Sequence, residues 1–368
     1  MPPPPPRRPT NKKVKAPTVA SAEQIRGRQK GALLGLAVGE ALGIRNEMKN
    51  VMAAMFPELN EGPLTEPRGG GRFELAPGQV TWGCEMAQVL SSTLRNLRRY
   101  DVFETGKAYA RWLPTAFDAP DAIKAALEQI IDGSSPEYSG RRVWLEGSQK
   151  IRDNAPLVRT VPIGVFFHSK REERLSASLD DTAVTHFDPI CQLACATFNG
   201  IIAAAISTPG ERLNPADLLK VAEAELSLAA ATLGRKESDW VSQTKDAADW
   251  LREDLKRAQE DDPELYGPDL HLFFPWPTSI RITYRLALWE LFHAPSLEAA
   301  IVDVANRGGD ADTNAAVTGA LFGAIFGEAA VPELWTERVL EARGAGAYHP
   351  RNLVTMAGLG PDDHDQSD

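Results

Sequence analysis

Pro189-Ile-Cys-Gln-Leu-Ala-Cys-Ala-Thr-Phe-Asn-Gly-Ile-Ile-Ala-Ala-Ala-Ile206 decides the fold class. Ile190, Leu193, Ala194, Ile201, Ile202 and Ala205 recur at three- and four-residue intervals, the spacing of one helix face and not the two-residue alternation of a strand. Pro189 stands where a helix starts and a missing N–H costs nothing. Working outward, Met86, Val89, Leu90, Leu94 and Leu97 repeat the pattern, as do Leu218–Leu233, Ser279–Phe292, Leu297–Asn306 and Thr313–Phe326. Pro215, Pro295 and Pro332 lie near further starts. Val161–Phe167 is the one stretch that reads as a strand candidate. The expectation is an all-α orthogonal helical bundle.

With 368 residues, 43% of them hydrophobic, the chain can bury one large core or two modest ones. A formal charge of -10 argues against nonspecific nucleic-acid or anionic-membrane binding, so neither partner is expected. Three cysteines are too few and odd in number for a disulfide framework, which points to a reducing, cytoplasmic setting. No segment is read as reaching the roughly 18 apolar residues of a membrane span, and no signal-peptide core is read at the start. Residues 1–23 form a basic Pro-rich tail that cannot build a core and is either a solvated end or a dock for a partner. Residues 24–345 are expected to form a single domain, and 346–368 an extension with a loose acidic end. Glu253–Pro277 reads as a long loop holding Phe273, Phe274 and Trp276.

Four segments carry chemistry. Gly31-Ala-Leu-Leu-Gly-Leu-Ala-Val-Gly-Glu-Ala-Leu-Gly43 is a small-residue helix that lets another backbone approach, with Glu47 just after it. Arg307-Gly-Gly-Asp-Ala-Asp-Thr-Asn314 is a glycine turn opening an apolar helix. Its Asp310, Asp312 and Thr313 bunch two carboxylates and a hydroxyl, the oxygen donors a hard divalent cation takes; the competing role is that of helix caps. The others are Asp153-Asn-Ala-Pro-Leu-Val-Arg159, followed by Pro162 and Gly164, and Val184-Thr185-His186, with Asp188 and Pro189 behind it.

In this order and spacing, from about Arg26 to Leu340, the chain resembles the ADP-ribosylglycohydrolases, which cleave ADP-ribose from modified side chains and related molecules. The resemblance implies an all-helical fold whose cleft holds two Mg²⁺ or Mn²⁺ ions at the ribose end. It places Glu47 on a carboxylate that acts as acid or base, and Asp310, Asp312 and Thr313 on metal ligands, Asp310 also counting as catalytic. Asn154, Arg159, His186, Gly308 and Gly309 fall on substrate-binding segments. In the Asn154 loop, Ala155 and Pro156 replace the glycine and small residue that the family favours, and Pro156 removes a donor.

The larger departure is Thr81-Trp-Gly-Cys84, where the family has Thr-Asp-Asp-Thr with both aspartates on metal. Glu47, Asp310 and Asp312 leave three carboxylates, which suit one divalent ion and not two. One Mg²⁺ or Mn²⁺ at most is therefore expected, on Asp310, Asp312, Thr313 and Thr81. Glu85 either substitutes an oxygen or answers the helix dipole, Cys84 reads as a small buried thiol, and Asp180-Asp181-Thr182 as a coincidental echo of the missing motif. Trp82 either stacks on a ligand or fills the vacated volume. His186 is a cap, a core hydrogen-bonder or a ligand contact. Phe273, Phe274 and Trp276 are a lid, an adenine platform or core packing. Two functions follow: an enzyme acting on an ADP-ribosyl-linked substrate at the distal ribose, with hydrolysis or a changed reaction, or an inactive module that binds ADP-ribose.

Overall fold

Ser21 begins the first helix by accepting from the Gln24 amide while the Gln24 side chain accepts from the Ser21 amide, a reciprocal cap that satisfies two donors. The computed structural model describes residues 19–210, 213–266, 270–342 and 348–362. Most of the expected basic tail (1–18), the expected domain end (343–347) and the acidic end (363–368) lie outside the described residues.

The chain builds α1 (Ala22–Gly43), α2 (Trp82–Leu97), α3 (Val102–Trp112), α4 (Asp121–Ile131), α5 (Pro136–Glu146), α6 (Ala155–Phe166), α7 (Arg171–Ala183) and α8 (Pro189–Ser207). It continues with α9 (Pro215–Lys236), α10 (Val241–Arg257), α11 (Ile280–His293), α12 (Leu297–Asn306), α13 (Ala311–Phe326), α14 (Glu333–Leu340) and α15 (Pro350–Val354). Among the described residues, extended pairing is limited to isolated bridges. The fold is the expected all-α orthogonal bundle.

At its centre α1 and α13 lie antiparallel with their backbones touching. A side-chain carbon on Gly31, Gly35, Gly39 or Gly43 would collide with the carbonyls of Gly323, Gly319, Ala315 or Ala311 respectively. The four-residue period of small residues on α1 is thus a contact stripe, and it fixes which ends meet: the C-terminal end of α1 lies beside the start of α13.

Four expectations are corrected. Val161–Phe167 is not a strand: Val161–Phe166 is the second half of α6, helical despite Pro162 inside it. Every residue of α6 is buried, so no polar face reveals the helical period, and Val158, Thr160, Val161 and Val165 mimic strand composition. Glu253–Arg257 continue α10, so the loop begins only after Arg257. α8 is, by length and composition, apolar enough to cross a membrane, but 89% of that window is buried within the protein, as befits a helix packed against α6, α7, α9 and α10. The body also runs past residue 345, because Leu353 and Met356 are buried in the same core as α1 and α13.

Candidate active site

The α1–α13 contact delivers acids from two helices to one place. Gly308 (φ 76°) and Gly309 (φ 66°) turn the chain into α13 in a conformation that suits glycine. A side chain on Gly308 would strike Lys49 O, and one on Gly309 would strike Leu272 O. Met48 N donates to Gly309 O (2.6 Å) and Gly309 N to Lys49 O (3.0 Å), which pins the Glu47 segment to the Asp310 turn.

Asp310 is buried and accepts from Asn154 Nδ2 at 2.7 Å; Asn154 also donates to Thr283 Oγ1 (2.7 Å), which donates to Asn314 Oδ1 (2.6 Å). Burial pushes the Asp310 carboxyl up. It pushes Asp312 up much further, with the charges of Asp310, Glu47 and Glu40 adding to the effect. Glu47 is raised to about 7 by burial, and Asp310 and Asp118 push the same way while Arg72 opposes them. Glu85, buried on α2, is also raised to about 7 by burial and by Glu40, against the hydrogen bond it accepts from Trp112 Nε1 (2.8 Å).

Glu40 is the residue that sequence reasoning missed. It is 1% exposed, accepts from Thr81 N (2.8 Å) and Cys84 N (3.1 Å), and so caps α2 from α1. Its signal was present: a glutamate inside an apolar, glycine-spaced helix needs buried partners. The carboxylate also explains Gly83, where a side chain would run into Glu40 Oε1. Trp82 is 6% exposed and belongs to the core, so it fills volume. Cys84 is a buried free thiol pushed up by burial.

For a cation, the donors are few. Asp312 Oδ1 and Thr81 Oγ1 are buried without a hydrogen-bond partner, and Asp310 and Thr313 are adjacent. Among the described residues, no three His, Cys, Asp or Glu side chains are grouped to hold a metal. Asp310 and Asp312 supply carboxylates and Thr313 and Thr81 hydroxyls, donors of the type that a hard divalent ion takes.

Arg159 and His186 do not line the cleft. Arg159 is fully buried, donating to Asp181 Oδ2 (3.0 Å), Asp181 O (2.7 Å) and Thr185 Oγ1 (2.6 Å). His186, also fully buried, pairs its Nδ1 with Thr185 Oγ1 and its Nε2 with Asp153 Oδ1, each at 2.8 Å. Burial pushes Asp153 up, yet His186 and the Ala155 amide hold it below its ordinary value. These side chains brace the Asp153–Asn154 turn from behind. Asp181, from the segment set aside as coincidental, is the buried anchor of this network and also accepts from Tyr109 Oη (3.0 Å). Of the loop aromatics, Phe273 packs on the core, whereas Phe274 and Trp276 are 71% and 67% exposed. Core packing therefore does not hold for those two.

A family model described as ADP-ribosylglycohydrolase matches residues 21–357. The chain is 27% identical over 329 residues to a protein named ADP-ribosylarginine hydrolase Tri1 from Pseudomonas putida (strain GB-1), covering 86% of this chain and 75% of that one. A protein of the same name from Serratia proteamaculans (strain 568) is 22% identical over 321 residues, covering 85% and 75%. A solved structure titled ADP-ribosylglycohydrolase-related protein complex superposes with a TM-score of 0.65 at 24% identity, covering 91% of this chain and 97% of that one.

Proposed function

Because the chain belongs to the ADP-ribosylglycohydrolase family, we propose that it cleaves the bond joining the distal ribose of an ADP-ribosyl group to its acceptor, using a one-ion site. The supporting observation is the state of Asp312. Its carboxyl is buried beside Asp310, with the charges of Glu47 and Glu40 close by, and one of its oxygens lacks a partner. Buried acids so placed must either share protons or surround a cation. Asp310, Asp312, Thr313 and Thr81 would hold a single Mg²⁺ or Mn²⁺, which when bound supplies Lewis-acid orientation of the ribose hydroxyls and an activated water.

The chain's own residues do the rest. Glu47, raised to about 7, is neutral and ionised in comparable amounts near neutral pH, which suits it to deliver a proton to the leaving group or take one from water. Asn154 fixes the orientation of Asp310, and Gly308 and Gly309 let the turn lie close against the backbone of Lys49 and Leu272.

The test is turnover of a panel of ADP-ribosylated compounds, ADP-ribosylarginine among them because two relatives carry that name. Release of ADP-ribose should require Mg²⁺ or Mn²⁺, stop with chelator and be lost in Glu47→Gln. The second reading, an inactive ADP-ribose-binding module, draws on Gly83, where Glu40 occupies the space that a side-chain acid would need. Submicromolar ADP-ribose binding without turnover of any compound would establish it and overturn the enzyme reading.

A further inference from the structure

The side chain that meets Asp310 Oδ2 is an amide, and an amide has two ends of nearly the same shape and opposite hydrogen-bonding character. Set one way, Asn154 donates to the carboxyl; turned over, it puts an oxygen against it. A carboxyl group can meet either end, accepting through a bare oxygen or donating through a protonated one, so Asp310 by itself does not decide the matter.

Thr283 does. Its Oγ1 lies 2.7 Å from Asn154 Nδ2 and 2.6 Å from Asn314 Oδ1, and all three side chains are buried. A threonine hydroxyl has one proton. Committed to Asn314 Oδ1, it leaves only lone pairs towards Asn154, which must then present N–H. Of the two protons on Asn154 Nδ2, one goes to Thr283 and the other to Asp310. The chain of bonds has this direction although its far end leaves Asn314 Nδ2 buried without a partner, which is costly.

The helix that carries Thr283 also fixes the backbone of Asn154. Asn154 N donates to Thr278 O (2.8 Å), just ahead of α11, and Ile280 N, its first residue, donates to Arg152 O (3.0 Å). Thr283 lies one turn further along, so a single element holds Asn154 by both backbone and side chain. The segment leading into α11 reaches the other flank of Asp310 as well, where Leu272 O backs Gly309.

We propose that Thr283 is a positioning residue for Asp310: with its proton committed to Asn314, it holds the amino end of Asn154 towards the carboxyl and keeps Oδ2 an acceptor of fixed direction. Without the hydroxyl, Asn154 is tied to Asp310 alone and is free to turn over or to swing with it. The proposal rests on the glycohydrolase reading for what Asp310 then does, and not for its orientation.

The test uses the full chain and two variants: Thr283→Val keeps the shape and removes the hydroxyl, and Thr283→Ser keeps the hydroxyl. Neutron diffraction from deuterated wild-type crystals distinguishes the two ends of an amide. It should show Asn154 with deuterium towards both Asp310 and Thr283, and an Asn154 oxygen facing Asp310 would overturn the proposal. X-ray structures should show one Asn154 conformer in the serine variant and a second, turned away from Asp310, in the valine variant. On an ADP-ribosylated compound that the wild type turns over, Thr283→Val should lower kcat about tenfold with KM unchanged, and Thr283→Ser should recover most of the loss. An unmoved Asn154 or an unchanged kcat in Thr283→Val, or equal losses in the two variants, would each assign the threonine to packing and end the proposal. Absence of turnover by the wild type would sink the enzyme reading, and the diffraction results would still decide the positioning.

Discussion

The starts of α13 and α2 come together at this site, and they handle negative charge in opposite ways. At α13 the chain supplies carboxylates in sequence, and Asp310 and Asp312 are buried against each other with their carboxyls pushed up. At α2 the helix supplies backbone amides and takes its carboxylate from α1, because Glu40 bonds to Thr81 N and Cys84 N. Burial pushes all three carboxyls up; at α13 the charge of Asp310 adds to the effect on Asp312, whereas at α2 the two backbone amides work against it for Glu40. The site is lopsided for that reason: one half crowds carboxyls together, and the other sets a carboxylate against backbone amides.

Substitutions should separate the halves. Asp312→Ala should lower turnover on the order of a thousandfold, the equivalent of several kcal/mol of lost stabilisation, without lowering the cation-free melting temperature. Kinetics and thermal denaturation of one preparation check both parts, and a large drop in melting temperature would mean that α13 is scaffold too. Gly83→Asp should do the reverse of restoring a metal ligand: the new side chain meets Glu40, so about 3 kcal/mol of stability should be lost. Crystals of this variant soaked in Mn²⁺ should still show no more than one fully occupied ion by anomalous scattering. A second, well-occupied ion would show that Glu40 can move aside and that the halves are equivalent.

Glu40→Ala leaves two buried amides without their acceptor and should cost about 2–3 kcal/mol in denaturant titration, whereas Glu40→Gln, which keeps a carbonyl oxygen, should cost less. Equal costs would assign the effect to charge instead of capping. A further check is pH. Glu47 and Glu85 ionise at about 7 in the folded chain against an ordinary value of 4.5, so folding favours their protonated forms. Their contribution is full below about pH 4.5 and is lost as pH rises towards about 7. The cation-free melting temperature should therefore fall by roughly a few degrees over that interval, and saturating Mn²⁺ should blunt the fall. A flat cation-free profile would show that the acids of both halves are equally compensated.

The helices were legible wherever one face is polar and the other apolar, as in α2. α6 was not, since a helix buried all round has no periodic contrast, and its β-branched residues then dominate the local reading. The Gly308–Thr313 turn was legible because glycines and acids adjacent in sequence are also adjacent in space. Glu40 was not, because its partners at Thr81 and Cys84 are more than forty positions away and reach it through the α1–α2 contact. Arg159 and His186 show the converse: a motif position says that a residue matters, but the buried ion pair with Asp181 shows that this arginine acts through the turn it braces.

The glycine-lined seam between α1 and α13 has a dynamic consequence. No rotamers intervene where the two backbones touch, so the seam has no soft side chains through which one axis could drift against the other. The separation between Glu40 and Asp312 should then be among the least fluctuating distances in the molecule, and the amides of both helices should exchange with solvent only when the whole fold opens. Whatever breathing admits a substrate must come from outside that seam.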